Sequence, residues 1–299
     1  MGLAQPAAVV SLVGHNVDGA QLDVYVGCRP PISKFSPRND HLPLSILHGR
    51  CVVSPFGGLI GWSDALVGAV IALLSGIVHG YSGFGGNLLM VPLLSFLFAP
   101  AHAIAVAMVI AAAGQASVVW QAIPLADRQE CGSFLLGLLL GLPAGTYFLA
   151  VSDPSLIRRA VGASTLAAAA VLATGWVYRG RRTAYVGAAF GALSGIIGGA
   201  AGQGGPPAVA YFIAAPVEAA VQRANIIAAV SGLILLGLLF LALAGIVTPT
   251  ILALGALLSL PYLAGLWAGS RLFKLLPRQN YRRAALLLLV AAGLMALLK

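Results

Sequence analysis

Charge is what this chain has least of. Of 299 residues, 8% are Asp, Glu, Lys or Arg and 60% are hydrophobic, where a soluble domain carries roughly a quarter charged residues. That shortage excludes an ordinary water-soluble globular fold. Acidic groups are the scarcest, eight in all, and Asp64, Asp127, Glu130, Asp153 and Glu218 stand at or beyond the ends of apolar runs. Cation and proton pumps bury carboxylates at membrane depth, so the pattern favours an anion over a cation. Cysteine is nearly missing too. Cys28, Cys51 and Cys131 form no CxxC pair and have no His at metal-ligand spacing, which removes a zinc site and a dithiol relay. Cys131 is expected simply to pack at a helix start. No basic stretch leads into a short apolar core near Met1, so no secretory signal is read there.

What the chain does have is apolar length, glycine and a positive balance. Mean hydropathy is +0.96, the formal charge is +9, and there are 37 glycines. The basic residues sit in short clusters between apolar runs. That is the signature of loops held on one side of a membrane rather than of nucleic-acid binding. Glycine and alanine in such runs let helix backbones approach closely in lipid.

Residues 1–60 contain turn-forming stretches such as Arg29-Pro30-Pro31 and Ser36-Pro37-Arg38-Asn39-Asp40 without sustained periodicity. They read as an N-terminal extension, flexible or outside the fold. A membrane span takes about 20 apolar residues, and from Trp62 onward such runs dominate. The first is Asp64–Gly80, which breaks and resumes as Asn87–Phe98. Ala101–Ala122, Gly132–Val151 and Ile157–Tyr178 follow. Tyr185–Gly199 then breaks and resumes as Pro207–Ala215, ahead of Ala219–Gly245, Pro249–Leu272 and Tyr281–Leu298.

The order repeats. Asp153-Pro154-Ser155-Leu156-Ile157-Arg158-Arg159-Ala160 resembles Leu276-Pro277-Arg278-Gln279-Asn280-Tyr281-Arg282-Arg283-Ala284, and Pro143 and Pro261 lie in the preceding runs. Residues 61–180 and 181–299 are therefore read as two transmembrane repeats. Loop charge bears on their relative orientation. If each broken segment returns to its own side as a hairpin, Arg128, Arg179, Arg181, Arg182, Arg223, Arg271, Lys274, Arg278, Arg282 and Arg283 gather on one side. Arg158, Arg159 and Lys299 remain on the other. A single crossing per break divides them more evenly, so inverted repeats are favoured. The expected fold is an all-α polytopic membrane protein of two pseudo-symmetric, inverted helical repeats, each opening with a glycine-broken helix or hairpin.

The breaks themselves are Gly80-Tyr81-Ser82-Gly83-Phe84-Gly85-Gly86-Asn87 and Gly198-Gly199-Ala200-Ala201-Gly202-Gln203-Gly204-Gly205-Pro206-Pro207. Unwound backbone survives at membrane depth only inside protein or beside a watery cavity, and paired interruptions point to a transporter's substrate site. A helix restarting there aims N–H groups and a partial positive charge at the gap, which suits an anion. The expected substrate-binding set is Tyr81, Ser82, Gly83, Gly85, Gly86 and Asn87 in the first half. Gln203, Gly204, Gly205, Pro206, Arg223 and Asn225 complete it in the second. Arg223 could hold an anion through its planar fork or snorkel to the headgroups. His79 and His102, the histidines of the membrane region, are candidates for proton coupling. No catalytic residues, metal ligands or cofactor are expected. The partners are a small anion and the lipid bilayer, not nucleic acid, and residues say nothing of oligomeric state.

At Gly83-Phe84-Gly85-Gly86-Asn87-Leu88-Leu89-Met90-Val91-Pro92-Leu93-Leu94 and Gly202-Gln203-Gly204-Gly205-Pro206-Pro207 the chain resembles the sulfite exporter TauE/SafE family. The resemblance runs from about Asp64 to Leu298. It implies a plasma-membrane carrier for sulfite, organosulfonates or related sulfur-containing anions. It also places Arg223 where members carry a basic residue early in that helix, with His102 in the equivalent place of the first half. Pro206-Pro207 set against Asn87-Leu88 makes the two halves chemically unequal. Two other readings stay open: a membrane enzyme or assembly factor handling a sulfur group, and a non-transporting anion sensor.

Overall fold

The computed structural model describes residues 62–298 apart from 83, 84, 117, 276 and 277, with the side chains of 62, 63, 82, 273–285 and 298 also outside it. The N-terminal extension, Gly83, Lys299 and the side chains of Ser82 and of the basic residues from Lys274 to Arg283 thus lie outside what is described. Among the described residues every regular element is helical. In the first half run α1 (Trp62–Ser82), α2 (Gly86–Leu97), α3 (Pro100–Ala116), a short α4 (Val119–Ala122), α5 (Arg128–Val151) and α6 (Pro154–Thr174). In the second half run α7 (Ala184–Ala201), α8 (Gly205–Phe212), α9 (Ala219–Leu243), α10 (Pro249–Leu275) and α11 (Arg278–Leu298). Six of them are long and apolar enough to cross a membrane: α1, α5, α6, α7, α9 and α10. The bent stretch from α3 through α4 adds a seventh if it is taken as one span.

Local chemistry sets the ends of these helices. Asp127 caps α5 by accepting the Gln129 and Glu130 N–H groups, and Thr183 accepts the Val186 N–H at the start of α7. Pro154 opens α6, where its missing N–H would have had no partner. Leu235, Leu239 and Leu243 of α9 and Leu136 and Leu140 of α5 are exposed, as expected of a surface solvated by lipid tails rather than water.

The halves exchange partners. α1 packs along α10, while α7, which opens the second half as α1 opens the first, packs along α5. Both seams are built on glycine. A Cβ at Gly137 or Gly141 of α5 would run into the carbonyl oxygen of Ala188 or Ala192, and one at Gly191 of α7 would strike that of Phe134. In the other seam Gly76 and Gly80 of α1 face the carbonyls of Tyr262 and Leu266, and Gly265 and Gly269 of α10 face those of Leu73 and Ile77. Lipid gives no hydrophobic drive between helices, so backbone-to-backbone contact at small residues supplies the cohesion. α6 and α11, the last helices of the two halves, pack on each other.

Candidate functional site

Both breaks stand level with the middles of other helices. Gly80, just before the first, faces Leu266 of α10. Gln203, inside the second, is buried against Ser164 and Thr165 of α6. The second interruption is three residues long, Gly202 to Gly204, between the end of α7 and the start of α8. Gly202 ends α7 with φ +69°, and Gly85 precedes α2 with φ +89°. Only glycine takes those backbone angles without strain. At Gly202 a side chain would also press on Ile104 and Val91.

Between the breaks lies a cavity that is partly open to its surroundings. From the first half it is lined by His79, Gly85, Gly86, Asn87 and Leu88, and from the second by Gly202, Gln203, Gly205 and Pro206. α3 contributes Met108, Ala111 and Gln115, and α9 presents an aliphatic wall of Ile226, Ile227, Val230, Leu233 and Ile234. One side is thus made of amides, an imidazole and bare peptide, and the other of hydrocarbon.

The polar side is tied together across the halves. Asn87 Nδ2 donates to the Gly202 carbonyl at 3.3 Å. Ser164 Oγ donates to Gln203 Oε1 at 2.9 Å, and Gln203 Nε2 donates to Thr165 Oγ1 at 2.9 Å. Thr165 passes its own hydrogen to the Val161 carbonyl at 2.7 Å. Ser194 Oγ of α7 donates to the Gly204 carbonyl, bracing the unwound peptide from behind. His79 Nδ1 and Tyr262 Oη of α10 are 3.0 Å apart and hydrogen-bonded.

The two helix starts differ as donors. No side chain caps α2 or α8, and the first residues of both helices line the cavity. α2 begins with Gly86 and Asn87, each carrying an N–H. α8 begins with Gly205, then Pro206 and Pro207, and prolines have none to give. The first half therefore supplies more backbone donors, and the second supplies a rigid turn.

Of the expected site residues, His79, Gly85, Gly86, Asn87, Gln203, Gly205 and Pro206 line the cavity, and Gly204 is buried directly behind it. Tyr81 is buried in α1 but is not a lining residue. Arg223 is exposed, one turn nearer the start of α9 than the first lining residue, Ile226. Asn225 is buried and turned toward α5, where its Oδ1 accepts the Asp127 N–H at 2.7 Å and faces the Cys131 thiol at 3.5 Å. It joins two helix starts rather than lining the cavity, and Cys131 packs in the first turn of α5. His102 is exposed and lines a separate, open hollow with Thr248 and Thr250, at the starts of α3 and α10.

Three features of the site were not foreseen from the residues: Gln115, which lines the cavity, and Tyr262 and the Ser164–Thr165 pair, which hold His79 and Gln203 from behind. Gln115 had a signal, being a polar side chain in the middle of an alanine-rich run. Tyr262 and the hydroxyl pair had none, because only the packing of α10 and α6 brings them to the breaks. Among the described residues no three of His, Cys, Asp and Glu gather as metal ligands. In comparison with known families, residues 67–296 match the model described as Sulfite exporter TauE/SafE. No curated protein and no solved structure matches the chain.

Proposed function

Since the chain belongs to the TauE/SafE family of sulfite exporters, we propose that it carries a small sulfur-containing oxyanion across the plasma membrane by alternating access, binding it in the cavity between the two glycine breaks. The observation that carries the reading is the composition of that cavity. It draws residues from both breaks at once, and no Asp or Glu lines it among the described residues. A carboxylate there would repel an anion. The amide of Asn87, the leading N–H groups of α2 and the dipole ends of α2 and α8 offset the substrate's loss of water.

Residues 61–180 and 181–299 are the two repeats of this mechanism, related by inverted topology and interlocked through the α1–α10 and α5–α7 seams. The reciprocal pairing of α1 with α10 and of α7 with α5 supports a pseudo-two-fold relation. The one-sided distribution of Lys and Arg supports inversion. Because the bound anion touches helices of both repeats, a shift of one group of packed helices against another alters its access without rebuilding the site.

Flux of sulfite into proteoliposomes containing the full chain tests this. Replacing both Asn87 and Gln203 by alanine is expected to reduce uptake severely while the protein still inserts and stays monodisperse in detergent. Uptake equal to that of the unmodified protein would remove the cavity from the mechanism. Conversion of sulfite to a new product by the pure protein would point to an enzyme instead.

A further inference from the structure

The cavity that is read above as an anion site contains one ionisable side chain among its described lining residues, His79, and no Lys or Arg. A negative charge taken from water into such surroundings requires more than amides to balance it. His79 sits where it could. It lies in the last turn of α1 and lines the cavity beside Gly86 and Asn87, at the start of α2.

Its second contact defines the arrangement. Tyr262 is fully buried in the middle of α10, and its hydroxyl meets His79 Nδ1 at 3.0 Å. Two glycines make room for the pair. A Cβ at Gly86 would come within 2.9 Å of Tyr262 Oη and 3.0 Å of His79 Nδ1, and one at Gly114 of α3 within 2.9 Å of the Tyr262 ring. Four helices, α1, α2, α3 and α10, thus converge on the His79–Tyr262 pair. From α10 the titratable group facing it is Tyr262. α2 presents Gly86 and Asn87, and α3 presents Gln115, none of which titrates. No Asp, Glu, Lys or Arg faces His79 among the described residues.

We propose that His79 is the proton-coupling site of this transporter: it takes up one proton when the anion enters the cavity and releases it when the anion leaves. The inference rests on the cavity being the substrate site. In the neutral ring one nitrogen is bare. With Nδ1–H donating to Tyr262 Oη, Nε2 accepts the proton from water. With Tyr262 donating to Nδ1, the hydroxyl turns its hydrogen away as the ring becomes doubly protonated and then accepts from Nδ1–H. A tyrosine hydroxyl serves in either sense, so Tyr262 holds the imidazole in place through both states. Attraction between imidazolium and anion raises the affinity of each for the protein by the same factor. A monoanion and its proton then cross together with no net charge moved. His102 lies at the other hollow and takes no part.

Methanesulfonate is the probe of choice, because it stays a monoanion from about pH 5.5 to 8.5, the range in which histidine titrates; sulfite is run beside it. Calorimetry of the purified full chain in buffers of different ionisation enthalpy should record close to one proton taken up per anion bound, with affinity falling up to about tenfold per pH unit toward the alkaline end. In His79→Gln, whose amide can still meet Tyr262, binding should lose this pH dependence. In proteoliposomes, methanesulfonate flux through the unmodified protein should be indifferent to membrane potential and driven by a proton gradient, whereas His79→Gln should generate current. Binding without proton uptake by the unmodified protein overturns the proposal even if the variant does not fold, as does pH dependence that survives in His79→Gln. If neither methanesulfonate nor sulfite binds at any pH, the transport reading falls first and this one with it.

Discussion

Asn87 and Gly202, 115 positions apart in the chain, are joined by a hydrogen bond from the Asn87 carboxamide to the Gly202 carbonyl at 3.3 Å. It is a direct bond from the first turn of α2 to the peptide that follows α7, and it ties the two sides of the cavity together. The Asn87 NH2 group carries a second hydrogen, and the side chain lines the cavity, where an anion can accept it. The same side chain both braces the gap and faces whatever occupies it.

Asn87→Ala should therefore weaken anion binding more than it weakens the fold. One hydrogen bond to a charged group contributes about 1.5–3 kcal/mol, or a loss of about tenfold or more in affinity. Titration of the purified protein with sulfite measures it. A fall in melting temperature of many degrees with affinity unchanged would assign Asn87 to the fold alone.

Gly86 and Gly205 open the two short helices at equivalent places, yet they should respond differently to a methyl group. At Gly86 the added Cβ would meet both His79 and Tyr262, whereas at Gly205 nothing lies within 4 Å. Gly86→Ala is expected to cut sulfite flux at least tenfold, of the order of the 1–3 kcal/mol that overpacking costs. Gly205→Ala should retain most of it. Equal losses in the two variants would contradict the close fit around His79.

The helix seams give a stability prediction. Gly141→Ala and Gly191→Ala place a methyl against a facing backbone carbonyl, and each should lower the melting temperature in detergent by several degrees, for a cost of about 1–3 kcal/mol. Gly132 also lies inside α5 but faces open space. Gly132→Ala should be neutral or stabilising by up to about 1 kcal/mol, because alanine favours the helix.

Arg182 binds the start of the second half to the far end of α8. Its Nη1 lies 3.3 Å from Glu130 Oε2, its Nη2 donates to the Tyr211 carbonyl, and its guanidinium stands 4.7 Å over the Tyr211 ring. Arg182→Lys keeps the charge but cannot make all three contacts. It should lose part of the stability, and Arg182→Ala should lose about 1.5–3 kcal/mol, the range for hydrogen bonds to a charged group. The Arg side chain is 11% exposed, so high salt should reproduce little of the effect. An Arg182→Ala protein as stable as the original would reduce the contact to surface decoration.

Much of this was legible beforehand. Apolar runs of span length name the helices from Asp64 to Leu272, since lipid demands both the composition and the length. The second break was readable from Gly202-Gln203-Gly204-Gly205, because glycine marks backbone that a helix cannot hold. Asn87 and Gln203 were visible as polar side chains beside those glycines. Arg223 was not placeable in the same way. One residue early in an apolar run fits a cavity wall and an exposed helix end equally well, and the turn at which α9 meets the cavity is set by its neighbours. Asn225 shows the same ambiguity, settled by the nearness of the Asp127 and Cys131 backbone and thiol.

Composition and spacing alone determined that the chain is helical, that it is built for lipid, and that it unwinds at two matched points, because those properties follow from each residue's own transfer energy and backbone freedom. Folding in three dimensions decided which polar groups meet. His79 finds Tyr262 183 positions away because a glycine seam brings α1 against α10, and Gln203 finds Ser164 39 positions away because α6 packs against α7. Such pairings depend on which helix faces press together, and that is a property of the whole bundle rather than of any stretch of chain.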